Sequence, residues 1–245
     1  MNNKQHNQTE MTISEHLSEL KRRLFTIIGL LIVLFVIAYI NSDRILKFIV
    51  GIGKSCGYTF VYIQPQEVLI QQFRIAGVLA IIVSTPVIVY HVIAFVAPAF
   101  SSKKSVRNII IFVIASFIMF VLGALFAYKI LLPFMYKFLF DIGKANNIKD
   151  QVSIKEYITL FITMMTSLGI VAEMPLISIL LTKIGILTPN RMKSIRNYVY
   201  VLILIIAAII TPPDVVSQCM VAVPMIILYE VSILVCRFIK EEKHG

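Results

Sequence analysis

Six long apolar runs, set apart by short stretches that carry most of the charge, constrain this chain more than any other feature of its sequence. They cover residues 24–40, 75–97, 109–132, about 157–187, 198–210 and 215–235. A helix needs about 20 apolar residues to cross the hydrocarbon of a bilayer, and a charge at its centre costs several kcal/mol. Only 15% of the residues are charged and 58% are hydrophobic, whereas an ordinary soluble domain carries about 25% charged residues. The pattern predicts one all-α integral membrane domain over 1–245, with an N-terminal segment 1–23, a six-helix region 24–235 and a tail 236–245. The polar start lacks the small-residue cleavage site of a signal peptide.

Basic residues fix the expected orientation. Lys21, Arg22 and Arg23 abut the first run; Lys103, Lys104 and Arg107 lie between the second and third; Arg191, Lys193 and Arg196 lie between the fourth and fifth; Arg237, Lys240 and Lys243 follow the sixth. On the other side the bases are diluted by Asp43, Glu67, Asp141, Asp150 and Glu156. The positive-inside rule then puts both termini in the cytoplasm of a bacterial inner membrane. This distribution also accounts for the net charge of +10. No basic stretch interleaves with aromatics, so no nucleic-acid partner is expected.

The fifth run offers only about 20 Å of helical rise, which calls for shielding or a thinned bilayer. The sixth is interrupted by Gln218, Pro224 and Glu230, so the fifth and sixth helices are both expected to be short. Between them stand Thr211, Pro212, Pro213 and Asp214. So tight a link forces an antiparallel pair, with the prolines stopping one helix and Asp214 capping the next. The loops at 42–74 and 133–156 are too long for simple turns and are expected to form short interfacial helices capping the periplasmic side. No 20–50-residue repeat or inverted repeat stands out.

Glu173, deep in the fourth run, is the strongest local signal, because an ionisable group at that depth is by default functional. The plainer alternative is a carboxyl satisfied by a nearby hydroxyl such as Thr163, Thr166 or Ser167. Pro175 should bend that helix, and Pro86 the second; two bent helices would make a curved, concave wall. Glu15 and Glu19 stand one helical turn apart, with Glu19 in i,i+4 reach of Arg23. On spacing alone an ordinary solvated helix start with topogenic charges is the better account, and the alternative is a cytoplasmic acidic site for a basic ligand. Thr211 and Asp214 read as caps, Gln218 as a hydrogen-bonding group for another helix, and Glu230 as interfacial. Cys56, Cys219 and Cys236 are far apart and the histidines at 6, 16, 91 and 244 are scattered, which supports no metal, disulfide or cofactor. His91, inside an apolar run, reads as a packed or interfacial residue. No nucleophile elbow, HExxH or phosphate loop is present, so no enzyme is expected.

At several of these positions the sequence resembles the TatC family, the multi-spanning subunit of the twin-arginine (Sec-independent) protein translocase. HLSELKRRL (His16 to Leu24) matches the family's opening string. PVIVYHVIAFVAPAF supplies Pro86, Tyr90, Phe95 and Pro98; the third run supplies Gly123, Phe126, Ala127, Tyr128 and Pro133; the fourth supplies Glu173 and Pro175; TPPDVVSQ joins the last two. The resemblance implies a receptor for twin-arginine signal peptides of folded precursors. It also implies a scaffold for TatA- and TatB-type single-helix partners, homo-oligomeric within a receptor complex and driven by the proton-motive force. It assigns Glu19 and Phe95 to the signal site, with Lys21 where the family usually has arginine. It assigns Glu173, Thr211 and Gln218 to partner contacts. In one respect the chain departs from the family: Lys104 stands where a glutamate helps hold the twin arginines, and a lysine repels guanidinium. Glu15 and Glu19 together are expected to take that load. A small-solute transporter would want paired charges at the midplane, whereas only Glu173 lies there. An intramembrane enzyme would want a catalytic constellation.

Overall fold

The computed structural model describes residues 13–55, 57–96, 106–145 and 151–241. In chain order these form α1 (Ile13–Ser55), β1 (Thr59–Val61), α2 (Glu67–Val96), α3 (Val106–Phe126), a π-helical turn (Ala127–Leu131), α4 (Leu132–Ala145), β2 (Gln151–Ser153), α5 (Ile154–Ala172), α6 (Met174–Ile184), α7 (Pro189–Ser194), α8 (Arg196–Ile210) and α9 (Val215–Glu241). Among the described residues, five stretches are long and apolar enough to cross a membrane: Ser18–Ser55, Glu67–Phe95, Ile109–Gly143, Ile154–Ile184 and Val215–Phe238. Arg196–Ile210 is apolar but shorter.

Several expectations need correction. α1 does not end near residue 40. Beyond it Ser42, Leu46, Ile49 and Gly53 are buried at helical spacing while Asp43, Arg44 and Lys47 stay exposed, so the helix continues as an amphipathic extension. α4 does the same after the third run, burying Leu132, Met135 and Tyr136 and exposing Phe134. The expected short cap helices are therefore extensions of spanning helices. The all-α expectation also misses one element: β1 and β2 pair in parallel, Thr59 with Gln151, Phe60 with Val152 and Val61 with Ser153. The fourth run is two helices, because the α-helical ladder breaks at Glu173. Pro175 sits in the first turn of α6, where its missing N–H costs nothing. Pro86, in contrast, lies inside α2, which continues on both sides of it. α8 is short, about 22 Å long, but α9, at 27 residues, is not.

Packing follows from these faces. α1 lies along α2, α3 along α5, and α9 against α6 and α8. At the strand-bearing end, tyrosines join the pieces through backbone carbonyls. Tyr58 donates to Tyr136 O at 2.5 Å, Tyr136 to Tyr157 O at 3.0 Å, and Tyr157 to Ile49 O at 3.2 Å. Each phenol thereby buries its ring without orphaning its hydroxyl. The α1 extension, β1, α4 and the start of α5 are tied into one cap.

Candidate functional site

The opposite end of α1 meets the last turn of α2. Glu19 and Arg23 lie one turn apart and form an ion pair, with Arg23 Nε donating to Glu19 Oε1 at 3.1 Å. The same guanidinium reaches across to α2, donating to His91 O at 3.3 Å and Ala94 O at 3.4 Å. A cation suits that place, because Ala94 is in the last turn of α2, whose carbonyls lack intrahelical partners and carry partial negative charge. Arg23 thus pins Glu19 beside the end of α2, where half-buried Phe95 follows Ala94 in sequence. The second carboxylate oxygen of Glu19 is buried and makes no hydrogen bond, and neither does His91 Nδ1. The His91 ring packs edge-on to Tyr90 at 5.5 Å. Lys21 points elsewhere on α1, its ammonium 6.0 Å over the Phe25 ring. The result is an acceptor-rich corner in which Arg23 holds one carboxylate oxygen and the other is buried without a donor. The Glu15 side chain, Lys104 and Pro98 lie outside the described residues, so the expected Glu15–Glu19 partnership has no geometry here.

Glu173 occupies the break between α5 and α6 and is 8% exposed. Its Oε1 accepts a hydrogen bond from Ser116 Oγ of α3 at 2.7 Å. The donor found for it is a hydroxyl, as in the plainer alternative, but it comes from the neighbouring helix and not from Thr163, Thr166 or Ser167. α3 and α5 approach closely enough for this because glycines line the contact. A Cβ on Gly123 would lie 2.4 Å from Leu168 O, and one on Gly169 would lie 2.6 Å from the Phe120 ring.

Thr211, Asp214 and Gln218 gather at the α8–α9 turn. Thr211 Oγ1 donates to Ala207 O at 2.9 Å. Asp214 Oδ1 accepts from Ser217 N at 2.7 Å as the N-cap of α9. Gln218 Nε2 donates to Leu204 O of α8 at 3.0 Å. At the other end of the same pair is a cluster that sequence reasoning missed. Arg196 donates to Glu230 Oε2 at 2.7 Å, Tyr200 donates to Glu230 Oε1 at 2.5 Å, and Tyr229 donates to Met192 O at 2.8 Å. The signal was available: Arg196 and Glu230 stand equally far from Pro213, so a tight antiparallel turn brings them level. Among the described residues no group of His, Cys, Asp and Glu is arranged to hold a metal ion.

Long apolar helices that expose Ile32, Val33, Val36, Ile37 and Ile40 on α1, and Ile110, Ile111, Ile114 and Ile118 on α3, define a multi-spanning integral membrane protein whose outer surface meets lipid. Residues 15–224 match the model of the TatC family, Sec-independent protein translocase protein. The TatCy protein of Bacillus subtilis is 32% identical over 228 residues, 93% of this chain and 89% of that one. TatC of Aquifex aeolicus is 33% identical over 236 residues, 95% of this chain and 98% of that one. A crystal structure of the twin-arginine translocase receptor TatC superposes with a TM-score of 0.84 at 32% identity, covering 91% of this chain and 99% of that chain. The chain belongs to the TatC family of Sec-independent protein translocase proteins, and its role is protein transport.

Proposed function

We propose that this chain is the signal-peptide receptor and scaffold of a twin-arginine translocase, with both termini in the cytoplasm. The observation that carries the reading is the Glu19 corner at the end of α2, where Arg23 fixes one carboxylate oxygen and the other stays buried and unpartnered. A buried acceptor without a donor is costly, and an arriving signal guanidinium removes that cost with a charge-assisted bond. Phe95 offers an apolar surface for the signal's hydrophobic segment. Lys104 is a poor guanidinium ligand, so Glu15 supplements Glu19. Undiminished signal crosslinking in both Glu15→Gln and Glu19→Gln would sink that division of labour.

Partner recruitment falls to the intramembrane polar groups. Glu173 and Ser116 form a buried polar pair between α3 and the α5–α6 break. Thr211 and Gln218 present a second polar group at the α8–α9 turn, where Gln218 keeps an acceptor oxygen for a TatA- or TatB-type helix. The deciding experiment is export of a folded reporter behind a twin-arginine signal, in a host lacking its own TatC and supplied with this chain and its cognate single-helix partners. Export that disappears when the arginine pair becomes a lysine pair is the expected result. Absence of export with the protein inserted and its partners present would overturn the proposal.

A further inference from the structure

Away from the Glu19 corner, α1, α2, α5 and the π-helical turn enclose a cavity of about 200 Å³. Its walls include Phe48, Ile75, Val78, Tyr128, Phe161 and Ile162, and Tyr128 is the one lining residue with a polar atom in its side chain. Ile75, on one wall, is 2% exposed, whereas Phe48 is 59% exposed and marks the mouth. The volume exceeds the roughly 150 Å³ of an apolar cavity that stays dry and takes up benzene. Water has nothing to bond to in such a slot, and an empty one forfeits dispersion contacts along its whole lining. In a protein surrounded by lipid, the filler at hand is hydrocarbon chain.

Three exposed cations stand next in sequence to residues that line this slot. Arg44 precedes Ile45 on α1, Arg74 precedes Ile75 on α2, and Lys129 follows Tyr128 in the π-helical turn. Lys129 sits over the Tyr128 ring, 5.0 Å from its centroid, and Tyr128 in turn faces Phe48 at 6.4 Å. Arg74 donates to the Thr159 hydroxyl of α5. None of the three forms an ion pair among the described residues. Their depth is informative. Arg44 lies about 30 Å of helix beyond Arg23, and Arg74 about 30 Å before Phe95, which is the thickness of the hydrocarbon core. The cations therefore stand at headgroup level at the strand-bearing end, beside an apolar slot. The π-helical turn, a feature that recurs at functional sites, turns Tyr128 toward the slot while Lys129 stays exposed.

We propose that the slot holds one acyl chain of an anionic phospholipid from the leaflet at the strand-bearing end, with its phosphate against Lys129 and the flanking arginines. The inference rests on membrane insertion and not on signal recognition. Neutral phospholipid fits the slot but supplies no net counter-charge to three cations that lack an ion pair among the described residues, and it is the comparison in the test.

The native chain contains no tryptophan, so Phe48→Trp in the full-length protein places a single reporter at the mouth. The protein is reconstituted in phosphatidylcholine bilayers with graded amounts of phosphatidylglycerol or phosphatidylcholine carrying brominated chains. Quenching should saturate at a severalfold lower mole fraction of the brominated phosphatidylglycerol. Lys129→Gln should reduce that preference about fivefold, the effect of one surface cation on anionic-lipid binding. Val78→Phe, which fills the slot, should return quenching to the level of bulk lipid. Should Phe48→Trp fail to fold, native mass spectrometry of the unaltered protein and of Lys129→Gln, released from mixed-lipid nanodiscs, decides the matter: one phosphatidylglycerol retained by the first and lost from the second is expected. Equal quenching by the two brominated lipids, or equal lipid retention by the two proteins, would overturn the proposal.

Discussion

Two carboxylates, Glu19 and Glu173, are held in opposite ways, and their variants should part accordingly. The Glu19–Arg23 pair is only partly buried, with side-chain exposures of 25% and 20%, and such pairs contribute about 1 kcal/mol or less. Glu19→Gln should therefore leave the melting temperature in detergent within a few degrees of the parent while lowering signal-peptide crosslinking about tenfold, the effect of losing one charge-assisted bond. Ser116→Ala removes the hydrogen-bond donor found for Glu173. It should cost about 1 kcal/mol, seen as a fall of roughly 2–4 °C in thermal unfolding. Glu173→Gln keeps an acceptor for Ser116 and should cost less. The sequence marked Glu173 by its depth, yet it did not reveal Ser116, because a linear pattern shows which residues share a helix and not which face a neighbouring one. The same limit hid the link from Arg23 to the carbonyls of His91 and Ala94.

At the scale of elements, the α8–α9 pair and the α3–α5 contact give the sharpest expectations. Asp214→Ala removes the N-cap of α9 and should destabilise by about 1 kcal/mol. Glu230→Ala leaves both Arg196 and Tyr200 without their acceptor and should cost at least as much in the same unfolding assay. Gly123→Val has no room, since even a Cβ meets the Leu168 carbonyl and the Ala172 methyl. A loss of about 1–3 kcal/mol is expected, along with weaker coupling between Ser116 and Glu173 in a double-mutant cycle. The tight proline turn made the antiparallel α8–α9 pair legible in the sequence. The extensions of α1 and α4 were harder to see, because Asp43, Arg44, Lys47 and Lys137 made amphipathic helix look like loop. Strands of three residues, paired at a separation of 92 positions, Thr59 with Gln151, left no periodic signal at all.

For the molecule as a whole, the alternation of apolar run and charged break carried most of the architecture, and the family match spans residues 15–224 of that pattern. Orientation is open to direct measurement. In a variant whose native cysteines are replaced by serine, a cysteine placed at Ser18 should react with an impermeant thiol reagent only from the cytoplasmic side. One placed at Lys54, at the end of the α1 extension, should react only from the other. Labelling of both from one side would contradict an α1 that crosses the bilayer.

The parallel pairing of β1 with β2 also sets an order of events during biogenesis. β1 is complete at Val61, but its partner begins at Gln151. At ribosomal rates of 5–20 residues per second, the roughly 90 intervening residues take about 5–20 s to arrive. During that interval α2, α3 and α4 are added in turn while the edge of β1 stays unpaired, and the acceptor carbonyl of Tyr157 is made only after β2. The cap is thus a late checkpoint: it closes only once the start of the fourth spanning run has been delivered to the correct side, and a chain that mis-threads its middle helices cannot close it.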